Sequence, residues 1–585
     1  MYINQMVNKF WRGGKYRRTP DELGTNSFKR ISFYIFYAVI GSVFVGLLLY
    51  LSGFKYTLFS IIDFFSFCYF FAFFVGNRYI RAFYIAPLII IVSQVLSVSV
   101  SGNYVVPLTL LNAGEFYALG LETLLRIIFL FFVLLVTGAL LVVKARGLNL
   151  KSYVKFIFIV ASILTLAYNH AQSPILNSIN CLSKVFNQLT FGTDSVKRYV
   201  AQKKYFKEYV YSKDNIKGRN AELVKQYSLK GKNVIVFFIE GFNYNNLSRV
   251  NNFENLTPNI DELAESSLSF KNYYNHTAAT FRGLRGQLTS SYQFIGGYYG
   301  EKGIGIAQIS GDKIRSRYKN TLYSMSDILK KHNYDSYFVL PHSEKSNLAT
   351  MFQTLGFNKV IGCEYSSECD VKSPVEVRHL SDKSLFLSLK NMLLKLNKGK
   401  NFFIGFYNLG THIGQNSPDE KYSKNIPILN AIYNFDYQFG KFYSWFKESE
   451  YYDNTAIIIT ADHSAFPSKE RVTEFGQNSI YEGIFVNKIP FIITFKDYVF
   501  SEIDVKGKNS IDFAPTVLNL LDINSGENYF LGCSLFEECD KKFEYYESIG
   551  ESFYNTENNS LKTISKNDVY KKRILNFFHL SDSSN

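Results

Sequence analysis

Cysteine is scarce, six in 585 residues, and none stands in the tight C-x-x-C spacing of most structural zinc sites. Cys68 falls inside an apolar run and Cys181 just beyond another. The other four form two close pairs, Cys363 with Cys369 in "GCEYSSECD" and Cys533 with Cys539 in "GCSLFEECD". A four-cysteine zinc site competes with two local disulfides formed in an oxidising, periplasm-like compartment, and the disulfides are the simpler reading. Acidic residues are also short, 49 against 64 Lys and Arg, which leaves a net charge of +15. In a soluble protein that balance would suggest nucleic acid. Here much of the excess lies beside hydrophobic segments, so no nucleic-acid partner is expected. A cleavable leader is not expected either: the first apolar run starts about thirty residues in, and further runs follow it.

What the chain has in plenty is aromatic residues, 17% of the total, and its length calls for about two to four domains. Five segments, 31–51, 56–74, 79–100, 124–143 and the shorter 154–168, are apolar and long enough to cross a hydrocarbon core of about 30 Å. Basic residues gather before the first of them (Lys9, Arg12, Lys15, Arg17, Arg18, Lys29, Arg30), between the second and third (Arg78, Arg81), and between the fourth and fifth (Lys144, Arg146, Lys151, Lys155). The positive-inside rule places those stretches in the cytoplasm. Five crossings then put everything after about His170 outside it.

The reading divides the chain into a cytoplasmic N-terminus (1–30), a transmembrane domain (31–170), a polar linker arm (171–230), a catalytic domain (231–545) and a polar tail (546–585) in which "ESFYNTENNSLK" suggests a hairpin. In the catalytic domain, strand-like runs at 233–239, 336–340, 401–407, 456–460 and 491–495 alternate with helical patterns at 321–331, 382–396 and 427–447. That alternation predicts an α/β domain around a largely parallel sheet. Ligands of such sheets gather beyond the carboxyl ends of the strands. There "NVIVFFIEG" ends in Glu240, which is either a solvated strand end or a ligand. "TAIIITADHSAF" ends in Asp462 and His463, a pairing that is commonly a loop feature when it stands alone. Together these oxygen and nitrogen donors suit Zn2+ or Mn2+. In "NHTAATFRGLRGQLTSS", Thr277 and Thr280 precede a helical pattern. Each is either a helix cap or a nucleophile that needs a metal or a base to deprotonate it, set among backbone N–H groups that favour phosphate.

In this order the pieces resemble the alkaline-phosphatase and sulfatase superfamily: a strand ending in Glu240, a Thr about forty residues later, a strand ending "ADH", and a late "IDFAPTVLNLLDI". "LTPNIDELAESSLSFKNYY", "LGFNKVIG", "NLGTHIGQ" and "KIPFIIT" match as well. Five spans ahead of an outer domain resemble the lipoteichoic acid synthases, the phosphoglycerol transferases acting on periplasmic glucans, and the lipid A phosphoethanolamine transferases. The resemblance implies an N-terminal five-helix transmembrane domain plus an extracytoplasmic α/β sulfatase-like domain, in a multi-pass protein of the bacterial inner membrane with its catalytic domain in the periplasm. It implies Glu240, Thr280, Asp462 and His463 around one divalent metal, with Thr280, directly before "FRGLRGQL", as nucleophile. His412 in "GTHIG" matches the substrate-side histidine, His342 in "LPHSEKSN" is a second candidate for that place or an ordinary exposed residue, and Arg282 and Arg285 would steady phosphate or face solvent.

Departures narrow the activity. Sulfatases carry a Cys or Ser followed two residues later by Pro, whereas Thr280 is followed by Phe281 and Arg282, so sulfate hydrolysis is disfavoured. Lipid A phosphoethanolamine transferases carry cysteines flanking the nucleophile, and this chain has none near Thr280. That leaves it closer to the phosphoglycerol branch, although periplasmic disulfides are a habit of the phosphoethanolamine branch. The expected reaction moves a phosphoglycerol or phosphoethanolamine headgroup from a membrane phospholipid, through phospho-threonine, to a glycan or glycolipid acceptor. The rivals are phosphoethanolamine transfer to lipopolysaccharide, a membrane-anchored phosphodiesterase, and a non-catalytic envelope protein.

Overall fold

The protein's structure, a computed structural model, describes residues 216–563 with breaks at 292, 294–310, 319–322, 376–377, 397–398, 413–418, 477–484, 524–529, 540–544, 549–551 and 558–559, together with isolated helical positions between 89 and 183. Except for those positions, the five expected spans lie outside the described residues. Among the described residues no helix is long and apolar enough to cross a membrane. The chain divides into two compact units, Met1–Ser99 with Phe129–Ser178, and Val100–Ile128 with Ile179–Asn585. The fold below belongs to the second.

In chain order its elements are β1 (Ile216–Arg219), α1 (Ala221–Gln226), β2 (Asn233–Ile239), α2 (Pro258–Ala264), β3 (Leu268–Lys271), α3 (Thr280–Thr289), α4 (Gly311–Tyr318), α5 (Met325–Lys331), β4 (Tyr334–Val339), α6 (Asn347–Thr354), β5 (Lys359–Ile361), α7 (Asp382–Leu393), β6 (Asn401–Tyr407), α8 (Pro427–Lys447), β7 (Thr455–Ala461), α9 (Lys469–Phe475), β8 (Phe491–Thr494), β9 (Ser501–Asp504), α10 (Phe513–Leu520), β10 (Glu537–Cys539), β11 (Tyr545–Ser548), β12 (Ser552–Glu557) and β13 (Ser560–Thr563). Regular structure thus begins inside the stretch expected as a linker arm, and Tyr227 and Leu229 already lie in the core.

Eight strands form one sheet in the order β5-β4-β6-β2-β7-β8-β3-β9. The run from β5 to β7 is parallel. Its central strands β2, "NVIVFFI", and β7, "TAIIITA", are buried at every position, because helices cover both faces and an unbroken apolar run is what such a strand requires. On one face Phe237 packs against Phe386 of α7 and Phe439 and Phe442 of α8, with ring centroids 5.4–5.8 Å away. On the other, Phe238 meets Phe513 of α10 at 5.3 Å.

The run expected at 491–495 is not a further parallel strand. β8 lies antiparallel to both β7 and β3, since the chain leaving the carboxyl end of β7 stays at that end of the sheet through α9 and then runs back. The described residues of 462–476 and 485–490 therefore belong to the rim where ligands would gather. Of the expected helices, 427–447 matches α8, 382–396 stops at Leu393, and 321–331 begins only at Met325. The cause of the last is a capping box: Ser324 Oγ accepts from Asp327 N at 3.1 Å while Asp327 Oδ2 accepts from Ser324 N at 3.0 Å. In the tail, β12 and β13 pair as a hairpin closed by Glu557 opposite Ser560.

Candidate active site

Parallel pairing sets Ile239 of β2 opposite Ala461 of β7, so the next residues, Glu240 and Asp462, leave the sheet side by side. Glu240 is held at its backbone from the loop after β6: its N–H donates to Asn408 Oδ1 at 3.0 Å and its carbonyl accepts from Thr411 Oγ1 at 2.6 Å. The chain then turns at Gly241, whose φ of 52° is in the left-handed region that glycine adopts without strain. That turn aims its N–H at Asp462 Oδ1, 2.9 Å away, which also accepts from His463 N at 2.7 Å.

The third contributor is α3. Thr280 is its first residue, and Ala279 before it has φ 74°, a conformation that costs a non-glycine residue of order 1–3 kcal/mol and collects at functional sites. Gly283 lets the helix approach β7: a Cβ there would stand 2.2 Å from the Asp462 carbonyl oxygen. The result is that Thr280 Oγ1 donates to Glu240 Oε2 at 3.0 Å.

Glu240, Asp462 and His463 are buried, and each offers a ligand atom within 4.8 Å of the others. His463 Nδ1 donates to the Ser464 carbonyl at 2.7 Å, which turns the lone pair of Nε2 towards Glu240 Oε1 at 3.4 Å and Asp462 Oδ2 at 3.3 Å. Asp462 Oδ2 is buried without a hydrogen-bond donor. Two carboxylate oxygens and an imidazole lone pair converging in a dry site repel unless a positive charge stands between them, so the donor set fits a divalent cation. Titration reflects the same demand. Burial acts to lower the His463 pKa, but the Asp462 and Glu240 carboxylates outweigh it and push it up to about 9. Burial would raise Glu240, yet the neighbouring His463 charge holds it below the usual carboxylate range. Burial and then Glu240 push Asp462 well up.

The structure brings Glu240, Thr280, Asp462 and His463 together. Thr277 is buried with its hydroxyl oxygen unbonded, whereas Thr280 is half-buried and faces Glu240. Arg282 and Arg285 do not face solvent: both are buried. Arg282 Nε folds back to the Ala278 carbonyl at 2.9 Å, two residues before Thr280, while Arg285 turns to Gln293. His342 and His412 stand close enough to Glu240 to feel its charge. Burial, then His379, holds His342 down to about 3, so at neutral pH it is an uncharged imidazole. Cys363 and Cys369 are joined, which leaves no thiolates for a zinc site, and Cys533 is likewise disulfide-bonded. The side chain of Cys539, its expected partner, lies outside those described.

Sequence reading missed Tyr407. Its phenol donates to Glu240 Oε2 at 2.5 Å, and its ring lies parallel to His342 at 6.1 Å. The signal was present, since "NFFIGFY" is another apolar strand ending in a polar group at the same edge of the sheet. Asn408, Thr411 and Asp382 were also missed. Asp382 accepts from Asn408 Nδ2 at 3.3 Å and so steadies the residue that holds Glu240.

A mixed α/β sheet with a threonine at a helix start, facing an acidic and imidazole cluster beyond the strand ends, defines an α/β domain of the alkaline-phosphatase-like, sulfatase-like kind. Residues 232–523 match the Sulfatase family, and through this domain the chain belongs to it. The chain is similar to the lipoteichoic acid synthase-like protein YvgJ of Bacillus subtilis (strain 168), 23% identical over 316 residues that cover 51% of this chain and 48% of that protein. It thus spans about half the length of that relative. Among solved structures it is similar to a protein in the alkaline phosphatase superfamily from Vibrio parahaemolyticus (TM-score 0.46, 18% identity, 68% of this chain and 94% of that one). It is also similar to the lipoteichoic acid synthase LtaP from Listeria monocytogenes (TM-score 0.48, 18% identity, 65% and 97%).

Proposed function

We propose that this chain is a membrane-anchored envelope enzyme that transfers a phospholipid headgroup, phosphoglycerol in the first instance, through a phospho-Thr280 intermediate to a glycan or glycolipid. The observation that carries the reading is Thr280 Oγ1 at the start of α3, 3.0 Å from Glu240 in the buried cluster with Asp462 and His463. Glu240, Asp462, His463 and Thr280 would hold the metal, Zn2+ or Mn2+. When bound, such a cation lowers the pKa of the threonine hydroxyl and draws off charge developing on phosphate.

Thr280 oxygen bonds to the phosphorus of the lipid diester, the bond from phosphorus to the diacylglycerol oxygen breaks, and diacylglycerol leaves with a proton. An acceptor hydroxyl oxygen then bonds to the same phosphorus, the Thr280 ester bond breaks, and Thr280 regains its proton. His412 and uncharged His342 flank the side of Glu240 where the headgroup would lie, and Arg282 stands beside the nucleophile. The absence of cysteines near Thr280 and the similarity to a lipoteichoic acid synthase-like protein favour phosphoglycerol over phosphoethanolamine. Membrane anchoring is supported by the five apolar segments and by the exposed apolar helical positions Leu125, Ile128, Phe129, Phe132 and Val136, which repeat at helical spacing.

The test is intact mass of the detergent-purified protein after incubation with phospholipids bearing glycerol or ethanolamine headgroups. An adduct of one headgroup mass is expected on wild type and absent from Thr280→Ala. Wild-type protein with bound metal and no adduct from either lipid would overturn the reading.

A further inference from the structure

Beyond the cluster of Glu240, Asp462 and His463, one buried charge has no ion-pair partner among the described residues. Arg471 of α9 is 1% exposed. Its NH1 donates to Asn246 Oδ1 at 3.2 Å, and its Nε has no acceptor. Asn246 Oδ1 also accepts from Asn243 N at 2.8 Å. Two donors thus fix the orientation of the Asn246 amide, and its Nδ2 is left buried without an acceptor. Two adjoining side chains therefore present buried donors, one carrying a full positive charge, with no carboxylate among the described residues in an ion pair with it. Glu240 and Glu470 are near enough to bias the guanidinium, but burial outweighs them and brings it down to about 10. An unpaired buried charge is among the most costly features a fold can keep. Moreover, a cation on Glu240 would neutralise the first of those two fields and leave Arg471 still less compensated.

We propose that Arg471 and Asn246 form an anion subsite for a second phosphate oxyanion of the substrate, distinct from the phosphate that reacts at Thr280. Both residues sit on the segments that leave the two central strands: Asn246 six residues after Glu240, Arg471 eight after His463. The subsite and the metal ligands are thus carried on the same two stretches of chain, and cation binding strengthens the call for an anion at Arg471. The unpartnered Nε–H of a guanidinium and the amide N–H of Asn246 are donors of the kind that a phosphate oxyanion accepts from. That the second phosphate is part of a substrate rests on the transfer reading above; that the pair binds an oxyanion does not.

The first measurement uses full-length protein in detergent, stripped of metal and titrated with inorganic phosphate. Wild type is expected to bind, and Arg471→Met and Asn246→Ala to weaken binding by about tenfold or more, with Arg471→Lys between them. Arg471→Met should keep or raise the melting temperature in the absence of phosphate, because it replaces an uncompensated charge with an apolar group of similar length. Unchanged phosphate affinity in a folded Arg471→Met protein would overturn the subsite. The source of the phosphate follows from single-turnover kinetics of the Thr280 adduct: slower formation in Arg471→Met assigns it to the lipid donor, and slower discharge to a phosphate-bearing acceptor assigns it to the acceptor. If wild type forms no adduct with any lipid, the transfer reading fails while the phosphate titration still decides the subsite.

Discussion

Tyr407 shows how much one hydroxyl organises. It and Thr280 both donate to Glu240 Oε2, which leaves Oε1 as the oxygen turned to His463. Tyr407→Phe removes a charge-assisted hydrogen bond and frees the carboxylate to rotate. The expected result is a 10- to 100-fold loss of Mn2+ or Zn2+ affinity, the usual size of an outer-shell effect on a metal site, measured by isothermal titration calorimetry with the melting temperature as a folding control. Unchanged affinity would make the phenol a packing group only. Ala279 is the other telling residue. Its positive φ cannot be read from "NHTAATFRG", because alanine there looks like an ordinary helix former. Only the structure shows that the chain accepts strain just before Thr280.

At the level of elements, α3 is where composition and position meet. Its glycines had no role assigned from the sequence, and one turns out to be a spacer. Gly283→Ala would place a Cβ 2.2 Å from the Asp462 carbonyl oxygen and force α3 off β7. A stability loss of about 1–3 kcal/mol is expected from such overpacking, together with weaker metal binding, read by denaturant unfolding and by metal titration on the same variant. The central strands were legible because burial on both faces demands unbroken apolar runs, and the ligands were legible because they interrupt those runs at one end. The short strands β3, β5 and β9 were not. β3 and β9 have four residues each and β5 three, and β9 alternates in burial, so none has a run long enough to stand out. The antiparallel direction of β8 was hidden for a different reason: strand direction is set by where the preceding segment leaves the chain, which no local pattern encodes. Arg471 was invisible because a charged residue in "SKERVTEF" reads as a solvated helix face.

For the molecule as a whole, stability against pH is a balance of buried groups: the raised Asp382, Asp436 and Asp462 favour the fold as pH falls, and His276 works against it. His276 is fully buried beneath α3, with Nδ1 2.6 Å from Ser510 Oγ. Burial first, and then the Arg282 charge, holds its imidazole down to about 3. Unfolded, it would titrate near 6.5. Between those values the unfolded chain takes up a proton that the folded chain refuses, so its contribution to stability falls as pH drops below about 6.5. One such group costs roughly 2 kcal/mol by pH 5. Melting of metal-free protein at pH 7.5 and pH 5 reads this contribution as a difference: on going to pH 5, His276→Gln should gain stability relative to wild type by about that amount, and an equal change in the two proteins would count against the assignment. The pairing of β2 with β7 has a consequence of another kind. Gly241 and the aspartate that receives its N–H are 221 residues apart, and the strand between them in neither direction can be omitted from the sheet that aligns them. No fragment emerging from the ribosome can bring Glu240 and Asp462 together until nearly the whole domain has been made, so the cluster cannot assemble on the chain during most of its own synthesis.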